Sequence, residues 1–178
     1  MFHDARLKRL AGVLKIASSA AMVLLPLSLL VPLWGDGLTR ADAMKAFPGL
    51  HIWPGVETWQ LVVAMGLGCL AAIAGIWVLW QMRGLFRLYQ MGEVLTDAAA
   101  RHIRKIGQGL LAVAILPVVV FPLQTVILTM NNPEGERSVA VGFELNDVAF
   151  LLAGGMLVLI GWAMGEASRM AQDHAAIV

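Results

Sequence analysis

Few residues in this sequence could take part in nucleophilic or metal chemistry, and they are widely spaced. Cys69 is the only cysteine, which excludes a disulfide or a thiolate metal cluster within one chain. The histidines, His3, His51, His102 and His174, lack nearby partners for a metal site or a pH sensor. No Ser-His-Asp, Cys-His or HExxH arrangement occurs. The sequence therefore predicts a protein that is not an enzyme and that holds neither a cofactor nor a metal.

The most informative polar residues lie in one segment, MRGLFRLYQMGEVLTDAAARHIRKIG, at residues 82–107. Helical hydrophobic spacing continues to Met91, Gly92 is a helix stop, and Thr96 is an N-cap for a second helix. A helical hairpin with its turn at residues 92–96 is therefore predicted. The candidate partner-docking residues on it are Arg83, Arg87, Gly92, Glu93, Thr96, Arg101, Arg104 and Lys105.

The net positive charge of this hairpin allows three interpretations. Basic residues beside a membrane bind anionic lipid, at about 1 kcal/mol each. An ordered basic surface could also dock a cytoplasmic protein. Direct nucleic-acid contact is disfavoured, because the basic residues are few, lie close to a membrane and have little aromatic interleaving.

Composition indicates that the hairpin belongs to a membrane protein. Of the 178 residues, 59% are hydrophobic and 14% charged, against about 45–50% and about 25% in soluble domains. Four apolar stretches meet the length of about 20 residues that a membrane helix needs. They cover residues 16–34, 59–82, 107–130 and 148–166, within one membrane domain of residues 1–178. The first is too long for a signal-peptide core and is predicted to be an uncleaved signal anchor.

The loops predict the orientation. Ten of the thirteen Lys and Arg residues lie in 1–15, 83–106 and 167–178. Because positive charge marks the cytoplasmic side, both chain ends and the hairpin are predicted to be cytoplasmic. The two remaining loops, 35–58 and 131–147, are then outside. The first of them is predicted to contain a short helix from Ala41 to Phe47.

Small residues predict where the spans pack. Gly68 and Ala72 lie on a small-residue face of the second span, and Gly161 and Gly165 form a GxxxG in the fourth. Such residues let membrane helices approach closely. We therefore expect spans two and four in the bundle interior, with a homodimer face as the alternative.

The spans carry little that could move ions. Glu166, at the end of the fourth, is the only Asp, Glu, Lys, Arg or His within them, which argues against an ion-coupled pump or a charged channel. Spans one and three contain two prolines each, which favour kinks. Kinked helices could line a cavity, and its polar residues would then be Gln124 and Thr125.

A pattern in the hairpin has the form L-F-x-x-x-x-x-G-E-x-x-T, followed by a helix ending in R-x-I-G. Its residues are Leu85, Phe86, Gly92, Glu93, Thr96, Arg104, Ile106 and Gly107. With the glycine-containing fourth span and the closing Ile177-Val178, it resembles the bacterial "domain of unknown function 2975" family. That resemblance implies four spans, no established activity, and a partnership with small helix-turn-helix regulators encoded beside family members.

The predicted fold is an all-α, four-helix membrane bundle with both chain ends inside. The leading hypothesis is a non-enzymatic, multi-pass protein of the bacterial inner membrane that anchors or regulates a small cytoplasmic helix-turn-helix transcription regulator. One alternative is small-molecule binding or transport through a cavity lined by spans one and three. Another is a structural subunit of a membrane complex. The expected partners are the lipid bilayer, the regulator and a second copy of the chain, without direct nucleic-acid binding.

Overall fold

The computed structural model describes residues 2–30 and 38–175, and this part of the chain contains helices and no strand. The helices are α1 (Phe2–Leu30), α2 (Arg40–Ala46), α3 (Thr58–Met91), α4 (Asp97–Thr129) and α5 (Leu145–Ala175). All but α2 contain a stretch long and apolar enough to cross a membrane. The prediction of an all-α fold with four membrane-length helices is thus confirmed.

The predicted spans fall within these helices to within one residue, although residues 31–34 of the first lie outside the described part. The two longest helices, α3 and α4, have 34 and 33 residues, or about 50 Å at 1.5 Å per residue. That length exceeds the hydrocarbon core of a bilayer, which is about 30 Å thick. The excess of both helices lies at the end where residues 92–96 join them, so the hairpin projects from the apolar bundle.

The helices pack mainly in the order α1 on α3, α3 on α4 and α4 on α5. The expectation that spans two and four share the interior is therefore wrong for span four, because α5 packs on the edge. The physical reason is that α4 carries small residues on two faces. Gly107 lies against Gly154 of α5, and Gly109 lies against Trp77 and Val78 of α3.

Backbone contact between α4 and α5 is very close. A Cβ atom added at Gly107 would lie 2.6 Å from the carbonyl oxygen of Gly154, and one at Gly161 would lie 2.7 Å from the backbone nitrogen of Arg104. Gly165 is looser, since its Cβ would meet Ala100 at an ordinary 3.8 Å. Two of these glycines are therefore required by the crossing itself.

The opposite end of the bundle is closed by loops whose buried polar groups are satisfied. Asn132 is 2% exposed; its amide donates to the carbonyl oxygens of His51 and Glu136 and its Oδ1 accepts from the Trp53 amide. These bonds tie together both loops at this end. Residues 136–144 run back along the last turns of α4 without forming a strand, since Ser138 bonds Thr129 and the Ala140 amide donates to the Thr125 hydroxyl.

Substituting Gly161 should destabilise the bundle, because backbone atoms cannot move away from a new methyl group. We expect Gly161→Ala to lower the free energy of unfolding by about 1–3 kcal/mol. Gly155 is the matched control, since a Cβ there meets nothing within 4 Å. Gly155→Ala should be neutral or stabilising by up to about 1 kcal/mol. Thermal and denaturant unfolding in mild detergent would measure both, and equal effects would contradict the proposed crossing.

Candidate functional site

The turn of the hairpin is fixed by backbone geometry at both of its ends. Gly92 has φ +87°, and its N–H donates to the carbonyl oxygens of Leu88 and Tyr89 at the end of α3. Glycine is favoured there because other residues pay a steric cost at positive φ. Thr96 begins α4, with its hydroxyl oxygen accepting from the Ala99 amide at 3.2 Å. The turn is therefore a defined structure between two capped helices.

The two arms of the hairpin share a packed interior. Leu85 of α3 lies in one buried cluster with Ala99, Ile103 and Ile106 of α4. Tyr89 packs against the same cluster from the last turn of α3. Because this core continues from the membrane-length part of the helices into the hairpin, the hairpin is a stiff extension of the bundle.

His102 belongs to this interior. Its ring is partly buried, and its Nδ1 lies 2.8 Å from the Oε1 of Gln81. A Cβ at Gly84 would lie 2.5 Å from the His102 ring, so the imidazole occupies the space that this glycine leaves. From the sequence, His102 had no expected partner. Its partners depend on how the two helices pack, because pairing the arms outward from the turn would have brought His102 opposite Phe86.

The structure does not gather the predicted docking residues into a single surface. Arg83 and Arg87 of α3 line a groove against α1. Arg101 and Arg104 of α4 line a separate groove against α5, and Lys105 lies beside Arg101. The basic charge of the hairpin is therefore divided between two sides.

The α4/α5 groove contains charges of both signs. It has a volume of about 130 Å³ and is lined by three arginines, two acidic residues and Trp162. The acidic residues are Asp97 and Glu166, and Arg169 approaches Glu166 at 4.0 Å. Much of the positive charge in this groove is compensated locally.

Between the two basic sides lies the hairpin tip, which we define as Met91 to Leu95. Leu95 is 80% exposed and Met91 is 54% exposed. Glu93 is also exposed. Glu93 was predicted from the sequence as a docking residue, whereas Met91 and Leu95 were not. The available signal was the presence of large apolar residues, Met91 and Leu95, in and beside a predicted turn.

A cavity of about 280 Å³ lies at the other end, beneath α2. Its walls are mostly apolar and come mainly from α2, α3 and α4, while Ser28 is the described residue of α1 that lines it. Gln124 lies in the wall, and its Nε2 donates to the Ala64 carbonyl at 2.7 Å. The Thr125 hydroxyl donates to the Pro122 carbonyl and accepts from the Ala140 amide. The expected pair of polar residues is thus bonded within the protein.

Metal-ligating side chains do not converge in the part of the chain that the structure describes. No group of three or more His, Cys, Asp or Glu residues there could hold an ion. Cys69 is partly buried within α3 and is not in a disulfide.

Comparison with known protein families gave one informative match. A family model described as "Protein of unknown function (DUF2975)" matches residues 51–178. The match includes α3, the hairpin, α4 and α5. Comparisons with curated proteins and with solved structures found no match.

The contact between His102 and Gly84 predicts energetic coupling across the hairpin. Gly84→Ala should cost about 1–3 kcal/mol of unfolding free energy, because the imidazole must move. In a His102→Ala background the same substitution should cost at least about 1 kcal/mol less. Equilibrium unfolding of the four variants of this cycle would measure the coupling. Gly66→Ala is the control on the same helix, since a Cβ there meets nothing within 4 Å, and strict additivity at positions 84 and 102 would refute the contact.

Proposed function

The chain belongs to the DUF2975 family of proteins of unknown function, and from that premise we propose that it is a non-enzymatic anchor for a small cytoplasmic protein. Its location would be the bacterial inner membrane, with both chain ends and the hairpin in the cytoplasm. The hairpin tip would be the docking element. The partner would be a small helix-turn-helix transcription regulator, the kind of partner that the family resemblance implies.

The observation that carries this proposal is the pair of exposed apolar side chains, Met91 and Leu95, on a stiff support. Helix α3 continues nine residues beyond position 82, the end of the predicted span, which corresponds to about 14 Å. The headgroup region adds only about 5–8 Å on each side of the hydrocarbon core. The proposal therefore places the apolar tip in a protein interface, since buried apolar anchors dominate such interfaces.

The positive charges near the hairpin tip indicate what kind of partner surface would fit it. Arg87 lies one helical turn before Met91 and so shares its face of α3. Arg101 lies on the neighbouring arm and is exposed. A complementary partner would present an apolar pocket bordered by acidic residues. For a DNA-binding regulator, such a surface would lie away from its basic DNA-binding face, because like charges repel.

A second candidate function, binding of a small apolar molecule, is supported by the cavity beneath α2. Its volume of about 280 Å³ and its mostly apolar lining suit a short hydrocarbon group. Gln124 supplies a polar atom in the wall. This site and the hairpin tip lie at opposite ends of α3 and α4, so the two functions would be independent.

The orientation that the proposal requires can be tested by cysteine labelling, because Cys69 is the only native cysteine. In a Cys69→Ser background, we expect Ser138→Cys to react with an impermeant maleimide in intact cells. Leu95→Cys should react only after the membrane is permeabilised. Labelling of position 95 in intact cells would place the hairpin outside and would remove it as a cytoplasmic docking site.

Docking itself predicts that the regulator encoded beside the gene is held at the membrane. Leu95→Glu should lower its membrane-bound fraction at least about tenfold, since a charge replaces the most exposed apolar anchor. The matched control is Leu145→Glu, because Leu145 is 85% exposed but lies at the opposite end. Quantitative immunoblotting of membrane and soluble fractions would measure the effect. A regulator equally soluble with and without this protein would refute the proposal.

A further inference from the structure

A groove between α1 and α3 opens at the hairpin end of the bundle. We call it the α1/α3 groove. It has a volume of about 580 Å³ and is lined by Lys15, Met22, Trp80, Arg83, Gly84 and Arg87. It is larger than the α4/α5 groove, and Arg87 at its edge is the one lining residue that the proposed docking surface also includes.

The two walls of the groove run antiparallel. Lys15 Nζ lies 3.2 Å from Gln90 Oε1, and Leu25 approaches Gly75 much deeper in the bundle. Met22 follows Lys15 by seven residues, and Trp80 precedes Arg87 by seven residues. Seven residues correspond to about 10 Å along a helix. Both walls therefore have a cation near the hairpin end and an apolar side chain about 10 Å deeper.

The positive charge of this groove is not balanced by its own lining. Lys15, Arg83 and Arg87 contribute three cations, and no acidic residue is among the described residues that line it. None of the three forms a salt bridge in the described part of the chain. Lys15 has a neutral partner, the Gln90 amide. The α4/α5 groove differs in this respect, since two carboxylates lie among its arginines.

The gradient from charged to apolar matches the shape of one class of ligand. Arginine binds phosphate oxygens through paired N–H donors, and lysine adds a point charge. Trp80 is 62% exposed, and tryptophan favours the boundary between headgroups and acyl chains. Basic pockets between membrane helices bind the headgroups of acidic phospholipids. A free phosphate would use the cations and leave the apolar part of the groove unfilled.

We propose that the α1/α3 groove is a binding site for one acidic phospholipid. Its phosphate lies among Lys15, Arg83 and Arg87, and one acyl chain follows the groove past Met22 and Trp80. Bound there, the lipid joins α1 to the central helix pair at the membrane boundary. The site depends on the hairpin end lying at a membrane surface, and it does not depend on any protein partner.

Lipid binding is best measured on the full chain by native mass spectrometry from a neutral detergent. Phosphatidylglycerol and phosphatidylcholine with identical acyl chains are added in turn. We expect the wild-type protein to bind one phosphatidylglycerol at least tenfold more tightly than phosphatidylcholine. Arg83→Gln/Arg87→Gln should abolish this preference, and Lys15→Gln should reduce it from the other wall of the groove.

The matched control is Arg101→Gln/Arg104→Gln, which removes the same charge from the other side of the hairpin. It should retain the preference, and circular dichroism should show that all variants are folded. An equal loss in both double variants would overturn the proposal, since it would indicate attraction to the overall charge. Saturable binding of inorganic phosphate alone, with no preference between the two lipids, would also overturn it. Neither outcome would affect docking at Leu95, which is measured separately.

Discussion

The close packing of α4 against both α3 and α5 is the contact on which the rest of this structure depends. In a bilayer, the surrounding lipid is as apolar as the helix surfaces, so helices associate through van der Waals contact at short range. Gly107 of α4 and Gly161 of α5 allow this close approach of the two helices, because an added Cβ at either position would meet backbone atoms. Gly109 of α4 allows a similarly close approach to α3, whose Trp77 and Val78 side chains fill the space beside the glycine. Helix α4 thereby becomes central, although its apolar content does not distinguish it from its neighbours.

The stiffness of the hairpin follows from this central pair. Helices α3 and α4 leave the apolar region already packed, and Ile103 and Ile106 carry the same core toward the turn. The His102 ring then fills the space beside Gly84, between the two arms. An exposed leucine on such a support needs little further ordering when it binds, which limits the entropic cost of docking. A flexible loop with the same residues would lose that advantage.

The division of basic residues between two sides lets one hairpin serve two proposed roles. The α1/α3 groove has unbalanced positive charge and a deep apolar end, which suit a lipid of the surrounding leaflet. The tip, with its exposed Met91 and Leu95, is the surface proposed for a soluble protein. The opposite end of the bundle has another character, since its buried Asn132 and Gln60 are bonded to loop and helix atoms. Those bonds tie the two loops to each other and α3 to the end of α4.

Sequence alone determined the features that depend on local rules. Span length predicted four membrane helices, and the positive φ and capping needed near Gly92 and Thr96 located the turn. The choice of Gly161 as a packing residue also followed from a local motif. Only the tertiary structure decided that α5 lies at the edge, that His102 meets Gln81, and that the basic residues separate into two grooves. Those outcomes depend on which face of each helix contacts a neighbour. The rotation of each helix about its axis is set by residues that lie far apart in the chain. Hydropathy and spacing along a single helix do not contain this information, because each span is apolar around most of its surface.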